Sequence, residues 1–318
     1  MGLSSLVHRR VLPALLTLER VGKIHVASRR PLEPSLIPRD RLGGHWQSYE
    51  TALRECAPCL AYVSLPNSMH AEWAWAALAG GFHVIVDKPA TTADCSQAQT
   101  LVQLALRSSR VLAEANVWPW HPLAQRAREM VGSGGLAPRA VMATFTSPPM
   151  DPNDFRYRRE LGGGALLDRG SYAASCGRFF FAEQPIGVSC VILSHAKEAG
   201  VDTSFSAFLQ YPSGVLLAFF SLECEYQNKV DIIGKSVACT VDRVFSPPAD
   251  YIGSVSVRSE NRPSHAELPA ADSFAAFVDD VLDAIEQEDY LRHSRVLLED
   301  ARVLERLARA AVGGTHAD

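Results

Sequence analysis

Apolar runs without alternation recur through the first third of the chain, each closed by a turn and followed by a stretch of helical period. Cys59 to Leu65 (CLAYVSL) is rich in strand formers and ends at Pro66 and Asn67, residues that close strands and open turns. From Ser68 to Ala79, Trp73, Ala76 and Ala77 recur at helical spacing; Ser68 can cap the first turn, and Gly80 and Gly81 can stop the last. His83 to Val86 (HVIV) is again continuously apolar, as in a parallel strand covered on both faces. Together these segments predict a βαβ unit. Ile24 to Ala27 (IHVA) predicts a further strand, preceded by a helix from about Leu6 to Leu18 and followed by Ser28, Arg29, Arg30 and a Pro-rich loop. A helix over Thr92 to Arg107 and a strand over Val111 to Ala115 continue the alternation of a doubly wound parallel sheet.

After Trp118 the pattern changes. A helix from about Pro122 to Gly132, a strand from Arg139 to Thr146, a Pro-rich loop and a Gly-led helix from about Ala165 to Phe181 come first. Strand-like runs follow at Val188 to Ser194, Thr203 to Gln210, Val215 to Glu223, Lys229 to Gly234, Ser236 to Asp242 and Ser254 to Ser259. Strongly periodic helices over Asp272 to Glu286 and His293 to Val312 close the chain. The fold class is therefore α/β. Residues 1–118 are expected to form a doubly wound domain, residues 119–290 a second domain with an open, mainly antiparallel sheet, and residues 291–318 a helix packing back near the first domain.

Composition narrows the function. With 318 residues, 47% of them apolar, the chain can bury two ordinary cores. A formal net charge of -4 offers no basic field for nucleic acid, and no apolar run reaches the length of a membrane span. The segment Val7 to Leu18 carries His8, Arg9 and Arg10 but lacks a small-residue cleavage pattern, and Leu6 stands where myristoylation of Gly2 needs Ser or Thr. Seven scattered cysteines argue against a disulfide framework and for a reducing cytoplasm. Cys56 and Cys59 make one CxxC without the second pair a zinc site requires, so no metal is expected.

Three places carry candidate chemistry. Asp87, Lys88 and Pro89 follow a strand directly, at the carboxyl edge where open parallel sheets bind ligands. Pro89 restricts the backbone before it, so the Lys88 ammonium would be held on a stiff segment; an ordinary surface lysine fits the same local sequence. In Gly162 to Tyr172 (GGGALLDRGSY), three glycines would let a ligand approach the backbone, and Asp168 and Tyr172 lie one turn apart on one helical face. A phenol near an ammonium is a plausible general acid, because the positive charge favours the phenolate left behind. Tyr172 also reads as an amphipathic core residue, and Asp168 as a cap.

The third place is a degraded dinucleotide fingerprint, with Gly2, Ser4 and Val7 at the three glycine positions and no room for a strand before them. Such a sheet would lack its central strand. The expectation is that roughly ten further residues, ending in a strand of about five or six, precede Met1 in the natural protein. Ser28, Arg29 and Arg30 stand where an acidic residue would accept the ribose hydroxyls of NAD, and arginines there suit a 2′-phosphate, although a solvated basic turn reads the same way. Asn116 and His121 flank the domain junction and could face a ligand or serve the structure.

These motifs together, LPNSMHAEW, DKP, EANVWPWHP and GGGALLDRGSY, resemble the glucose-fructose oxidoreductase, inositol dehydrogenase and MocA (Gfo/Idh/MocA) family over nearly the whole chain. The resemblance implies a Rossmann domain, a second domain with an open sheet, and a cleft between them. It implies NADP held by Gly2, Leu3, Ser4, Ser5, Ser28, Arg29, Arg30, Leu65, Pro66, Asn67, His70, Asp87, Lys88 and Asn116. Lys88 would lie beside the nicotinamide, with Asp168 facing substrate and Tyr172 donating the proton. Within the family, Asn153 to Tyr157, VDTSFSAFLQYPSGV and DRVFSPPAD look like the nucleotide-sugar 3-ketoreductases of antibiotic deoxysugar pathways. That likeness implies reduction of C3 of a dTDP-linked keto-deoxyhexose, with Arg156, Arg158, His121 and Tyr172 at the substrate. Pro119 departs from the arginine that many members carry there. A dehydrogenase of a free sugar, polyol or other small carbonyl, and a non-catalytic nucleotide-binding member, remain alternatives. The family's habit implies a homodimer or tetramer.

Overall fold

The computed structural model describes residues 1–132, 138–196, 200–260 and 262–313. It divides into two compact units: Met1–Ala115 with Phe274–Leu298, and Asn116–Ser273 with Glu299–Asp318. The division differs from three consecutive segments, because Phe274–Leu298 returns to the first unit.

In the first unit a π-helical turn, Val7–Val11, runs into α1 (Leu12–Thr17), followed by β1 (Ile24–Ala27), β2 (Leu42–Trp46), α2 (Tyr49–Glu55) and β3 (Leu60–Val63). Then come α3 (His70–Ala79), β4 (His83–Asp87), α4 (Cys95–Arg107) and β5 (Leu112–Ala115). The Pro-rich loop expected after Arg30 in fact leads into β2 and α2. Gly43 and Gly44 hide the β2 signal, and α2 is capped by Ser48, whose Oγ accepts from Thr51 N at 3.1 Å. Ser68 caps nothing, because α3 is entered through a 3₁₀ turn at Asn67–Met69; α4 starts after Asp94, which accepts from Ser96 N. Val84, Ile85 and Val86 are fully buried, as a strand with no polar alternation requires.

All strand pairs here are parallel, but they fall into two sheets, β1-β2 and β3-β4-β5. Met1 and Gly2 bridge the facing edges: Gly2 N donates to Ala27 O at 2.8 Å, Ser64 N to Met1 O at 2.9 Å, and the Met1 amine to Tyr62 O at 2.7 Å. Gly2 has φ +87°, and a Cβ there would collide with the Ser64 carbonyl, so no other residue fits. Beside this bridge lies an apolar cavity of about 300 Å³ lined by Val7, Leu12, Val26, Ala61 and Ile85 among others. Burial lowers the Met1 ammonium to about 6, with Asp87 acting the other way.

The second unit holds α5 (Pro122–Gly132), β6 (Ala140–Thr146), α6 (Ala165–Phe181), β7 (Gly187–His195), β8 (Asp202–Gln210), β9 (Val215–Ser221), β10 (Gln227–Ile233), β11 (Val237–Asp242), β12 (Gly253–Ser259) and β13 (Arg262–Leu268). Its sheet runs β13-β12-β11-β10-β6-β9-β8-β7, antiparallel except for β6 and β9. Polar β13 was not foreseen; it is exposed or half-exposed along its whole length and carries almost no apolar residue. One face of the sheet packs on α5 and α6 around Trp118, whose ring meets Phe179 at 4.9 Å and Phe245 at 5.5 Å. The other face leaves Val191, Leu193, Phe208, Leu217 and Ile233 exposed.

Helices α7 (Ser273–Glu286) and α8 (Arg292–Gly313) follow, and α8 supplies the second unit with Asp300. Arg178 of α6 holds that buried carboxylate with both arms, Nε at 2.7 Å and Nη2 at 2.9 Å. Burial pushes the Asp300 carboxyl up and Arg178 pulls it back. Arg178→Ala leaves the carboxylate buried and unpaired, and is expected to cost about 3–5 kcal/mol in urea unfolding. The double change Arg178→Met with Asp300→Leu is expected to recover most of that loss; equal losses in both proteins would show that the pair contributes through packing alone.

Candidate functional site

In the first unit the site is built where β3 and β4 end. Asp87, the last residue of β4, accepts from Tyr62 Oη at 2.7 Å and from Ser64 Oγ. Tyr62 and Ser64 alternate with Val63, so both lie on one face of the sheet, the face that Asp87 shares through the pairing of Tyr62 with Ile85 and of Val63 with Val86. Burial raises the Tyr62 phenol well above its usual value, and Asp87 adds to the effect. Two residues on, Pro89 presents its carbonyl to His70, whose Nδ1 lies 2.7 Å away; Nε2 of the same ring lies 2.7 Å from the Leu65 carbonyl. Ala90 N donates to Glu114 Oε2 of β5 at 2.7 Å. Lys88 thus sits, half-buried, in a turn whose neighbours on both sides are tied to β3, α3 and β5. The Lys88–Pro89 peptide is cis.

The expected cofactor contacts separate into two groups. Leu65 and Pro66 are half-buried and Asn67 is buried beside that turn, while Arg29 and Arg30 are exposed after β1. Ser28 is buried and accepts from Arg30 N at 3.0 Å, which fixes the basic turn, and the Arg29 guanidinium lies 5.8 Å from the Tyr49 ring centre. Ser4 serves the first helical turn, accepting from Val7 N at 3.1 Å, and lies 2.8 Å from Ser64 Oγ. Leu3 is buried and Ser5 exposed. His70 is a correction: it is buried, and both its nitrogens face backbone carbonyls, so neither is left for a cofactor.

In the second unit, α6 places Asp168 and Tyr172 on one face. Asp168 is buried, with Oδ2 3.2 Å from Arg156 Nε and 3.9 Å from Arg169 Nε. Arg156 also meets Asp154 at 3.2 Å; burial pulls its pKa down, but the two carboxylates outweigh that and raise it. Burial lowers Arg169, Asp168 acting the other way. Arg169 donates to Phe145 O at 2.6 Å and Ser147 Oγ at 2.7 Å and lies over the Phe145 ring. Tyr172 packs its ring 5.4 Å from Phe145 and 5.1 Å from Phe245.

The glycines before α6 serve a different purpose from the one expected. Gly164 N donates to Arg156 O and Gly163 N to Arg158 O, each at 2.9 Å, and a Cβ on Gly163 would lie 2.5 Å from Arg156 O. The preceding loop, not a ligand, occupies that space. Asp202 of β8 then serves the start of α6, accepting from Leu166 N at 2.6 Å. Arg158 is exposed. His121 is fully buried and its Nδ1 accepts from Leu123 N at 3.2 Å at the start of α5, which is a helix-end role. Asn116 is buried and donates to Ser171 O at 3.1 Å. Tyr62, Ser64, Glu114, Arg169 and Asp202 were not foreseen; only the first two carried a signal, as polar residues alternating within an apolar strand.

All seven cysteines are free, and among the described residues no group of His, Cys, Asp and Glu could hold a metal ion. Among the same residues no helix is long and apolar enough to cross a membrane.

Residues 8–115 match the model of the oxidoreductase family with an NAD-binding Rossmann fold, and residues 124–238 match the GFO/IDH/MocA C-terminal domain. The chain is 33% identical over 279 residues to a dTDP-3,4-didehydro-2,6-dideoxy-alpha-D-glucose 3-reductase of Saccharopolyspora spinosa, covering 86% of this chain and 82% of the relative. It is also 33% identical to the reductase of the same name from Actinomadura kijaniata, over 86% and 82% of the two chains. A 3-ketoreductase from that organism, solved in complex with NADP and TDP-benzene, superposes with a TM-score of 0.86 at 30% identity, covering 98% of this chain and 96% of the other. Variants of that 3-ketoreductase with a tyrosine changed to phenylalanine or a lysine changed to alanine have been solved with the same two ligands. Two matching domain models and relatives of this similarity along most of its length establish that the chain belongs to the Gfo/Idh/MocA oxidoreductases.

Proposed function

We propose that this protein uses NADPH to reduce the 3-keto group of a dTDP-linked keto-deoxyhexose in deoxysugar biosynthesis. One observation carries the reading furthest: the lysine and the tyrosine altered in the solved 3-ketoreductase variants stand as far apart in that chain as Lys88 and Tyr172 do here. The relatives' substrate class supports the rest.

Bound NADPH supplies a hydride to the carbonyl carbon. As negative charge grows on the carbonyl oxygen, the Tyr172 hydroxyl donates its proton there and the Lys88 ammonium stabilises the charge. Asp168, one turn before Tyr172, is matched by Arg156 and Arg169, so no unpaired negative charge stands one turn away to oppose the phenolate. The residues present fit the cofactor in three respects. The buried Gly2 crosses the strand ends without a side chain, Leu65 to Asn67 leave β3 beside the Lys88 turn, and Arg29 and Arg30 offer guanidiniums to a 2′-phosphate. Arg158, exposed beside the Arg156 pair, suits the diphosphate. The exposed apolar outer face of the second unit's sheet suits a homo-oligomer.

Lys88→Ala and Tyr172→Phe are each expected to lower turnover of a dTDP-3-keto sugar by roughly 10²- to 10⁴-fold with melting temperature unchanged. Near-normal rates in both would defeat the assignment, and equal turnover of a free keto sugar would move it to another substrate class. Fluorescence titration should give NADPH tighter binding than NADH. Replacing Arg29 and Arg30 by Ala should narrow that preference about tenfold or more, whereas an unchanged ratio would remove the 2′-phosphate from this turn. Light scattering should report an oligomer that Phe208→Asp with Leu217→Asp converts to monomer; an unshifted mass would exonerate this face.

A further inference from the structure

The chain leaves β5 at Ala115, and the next residues reach the turn of α6 that carries Tyr172. Asn116 Nδ2 donates to Ser171 O at 3.1 Å, and Trp118 Nε1 donates to Ser175 Oγ at 2.9 Å; both bonds are buried. Ser175 Oγ accepts from the indole and directs its own hydrogen to Tyr172 O at 3.3 Å. Side chains from Asn116–Trp118 therefore address the helix backbone immediately before Tyr172 and, through Ser175, at Tyr172 itself.

Helix α6 needs none of these bonds in order to form. Its own ladder gives the Ser171 and Tyr172 carbonyls an N–H one turn on, and the outside donors take the second lone pair of each oxygen. A carbonyl can only accept, so the nitrogen of the Asn116 amide, not its oxygen, faces the helix; Oδ1 has no partner among the described residues. The bonds thus fix where this turn stands. The Tyr172 ring is referred to the same segment, since it lies 5.1 Å from Phe245, whose ring lies 5.5 Å from that of Trp118.

We propose that Asn116 is a positioning residue for Tyr172: by holding the Ser171 carbonyl it sets the turn of α6 from which the phenol meets the keto group. This deepens the proton-donor role proposed for Tyr172 and rests on it. The amide moves no proton, and its effect passes through the helix backbone.

Asn116→Leu keeps the size of the side chain and removes the donor, while Ser171 O retains its helical bond. It is expected to lower kcat for a dTDP-3-keto sugar about 10- to 100-fold, with KM for that sugar and the Kd for NADPH each changed less than about threefold. In a Tyr172→Phe background the same change should alter the rate less than about twofold, because a hydroxyl already removed cannot be misplaced. An unchanged kcat, an equal loss in both backgrounds, or a loss confined to the Kd for NADPH would each overturn the proposal, the second assigning Asn116 to packing and the third to the cofactor. Should Asn116→Leu fail to fold, Asn116→Ala removes the donor without adding volume and is read through the same cycle. If Tyr172→Phe alone is as active as the parent, the proton-donor reading falls and this inference with it; if Tyr172→Phe is slow and Asn116→Leu is not, this inference alone falls.

Discussion

Parallel strands satisfy their backbone groups through their neighbours until the ladder ends, and there every exiting carbonyl and N–H needs a new partner. The first unit meets that constraint with side chains at the carboxyl ends of β3, β4 and β5. Tyr62 and Ser64 take the Asp87 carboxylate, the His70 ring stands between the Pro89 and Leu65 carbonyls, and Glu114 takes the Ala90 N–H. The lysine is held by this buried polar frame, not by a packed apolar wall. Such frames are rigid when every member is satisfied and costly when one is lost, which makes the position of Lys88 more definite than that of a surface residue.

In the second unit the problem is a buried carboxylate. An ionised Asp168 without partners would be severely destabilising, and a single surface-like contact would not offset the desolvation. Arg156 comes to it from the loop and Arg169 from the same helix, while Arg169 spends its remaining donors on Phe145 O and Ser147 Oγ. The charge is thereby spread over a cluster, and Tyr172 lies against aromatic rings instead of beside an exposed anion.

Much of this was legible from the apolar pattern. The βαβ segment from Cys59 to Val86, the helix Ala165–Phe181 and the strand run after Gly187 lie within a few residues of where periodicity predicts them. What escaped has physical reasons. Strand β2 is two-fifths glycine, and β13 is polar because most of it faces water. The return of Phe274–Leu298 to the first unit is a long-range choice that a helical period does not encode. Lys88, Asp168 and Tyr172, the proposed catalytic residues, stand in local motifs that a sequence can show, whereas Glu114 and Asp202 act from strands far along the chain. His70 was read as a ligand residue because its place in LPNSMH is next to the strand end; only the burial of its ring and the two carbonyls around it identify a structural task.

The loop before α6 is tied to the helix start through backbone and side chain together. Phe155–Tyr157 and Arg159–Leu161 are short 3₁₀ turns whose carbonyls feed the glycine N–H groups that open α6. Arg156 contributes twice: its backbone oxygen accepts from Gly164, and its side chain reaches Asp168. A side chain on Gly163 would strike that same carbonyl, so the loop cannot be moved away from the helix start without losing both links. A different loop in this place would therefore alter the setting of the aspartate. The conformation of this loop is coupled to the charge cluster on α6, and Arg156 is the residue through which the coupling passes.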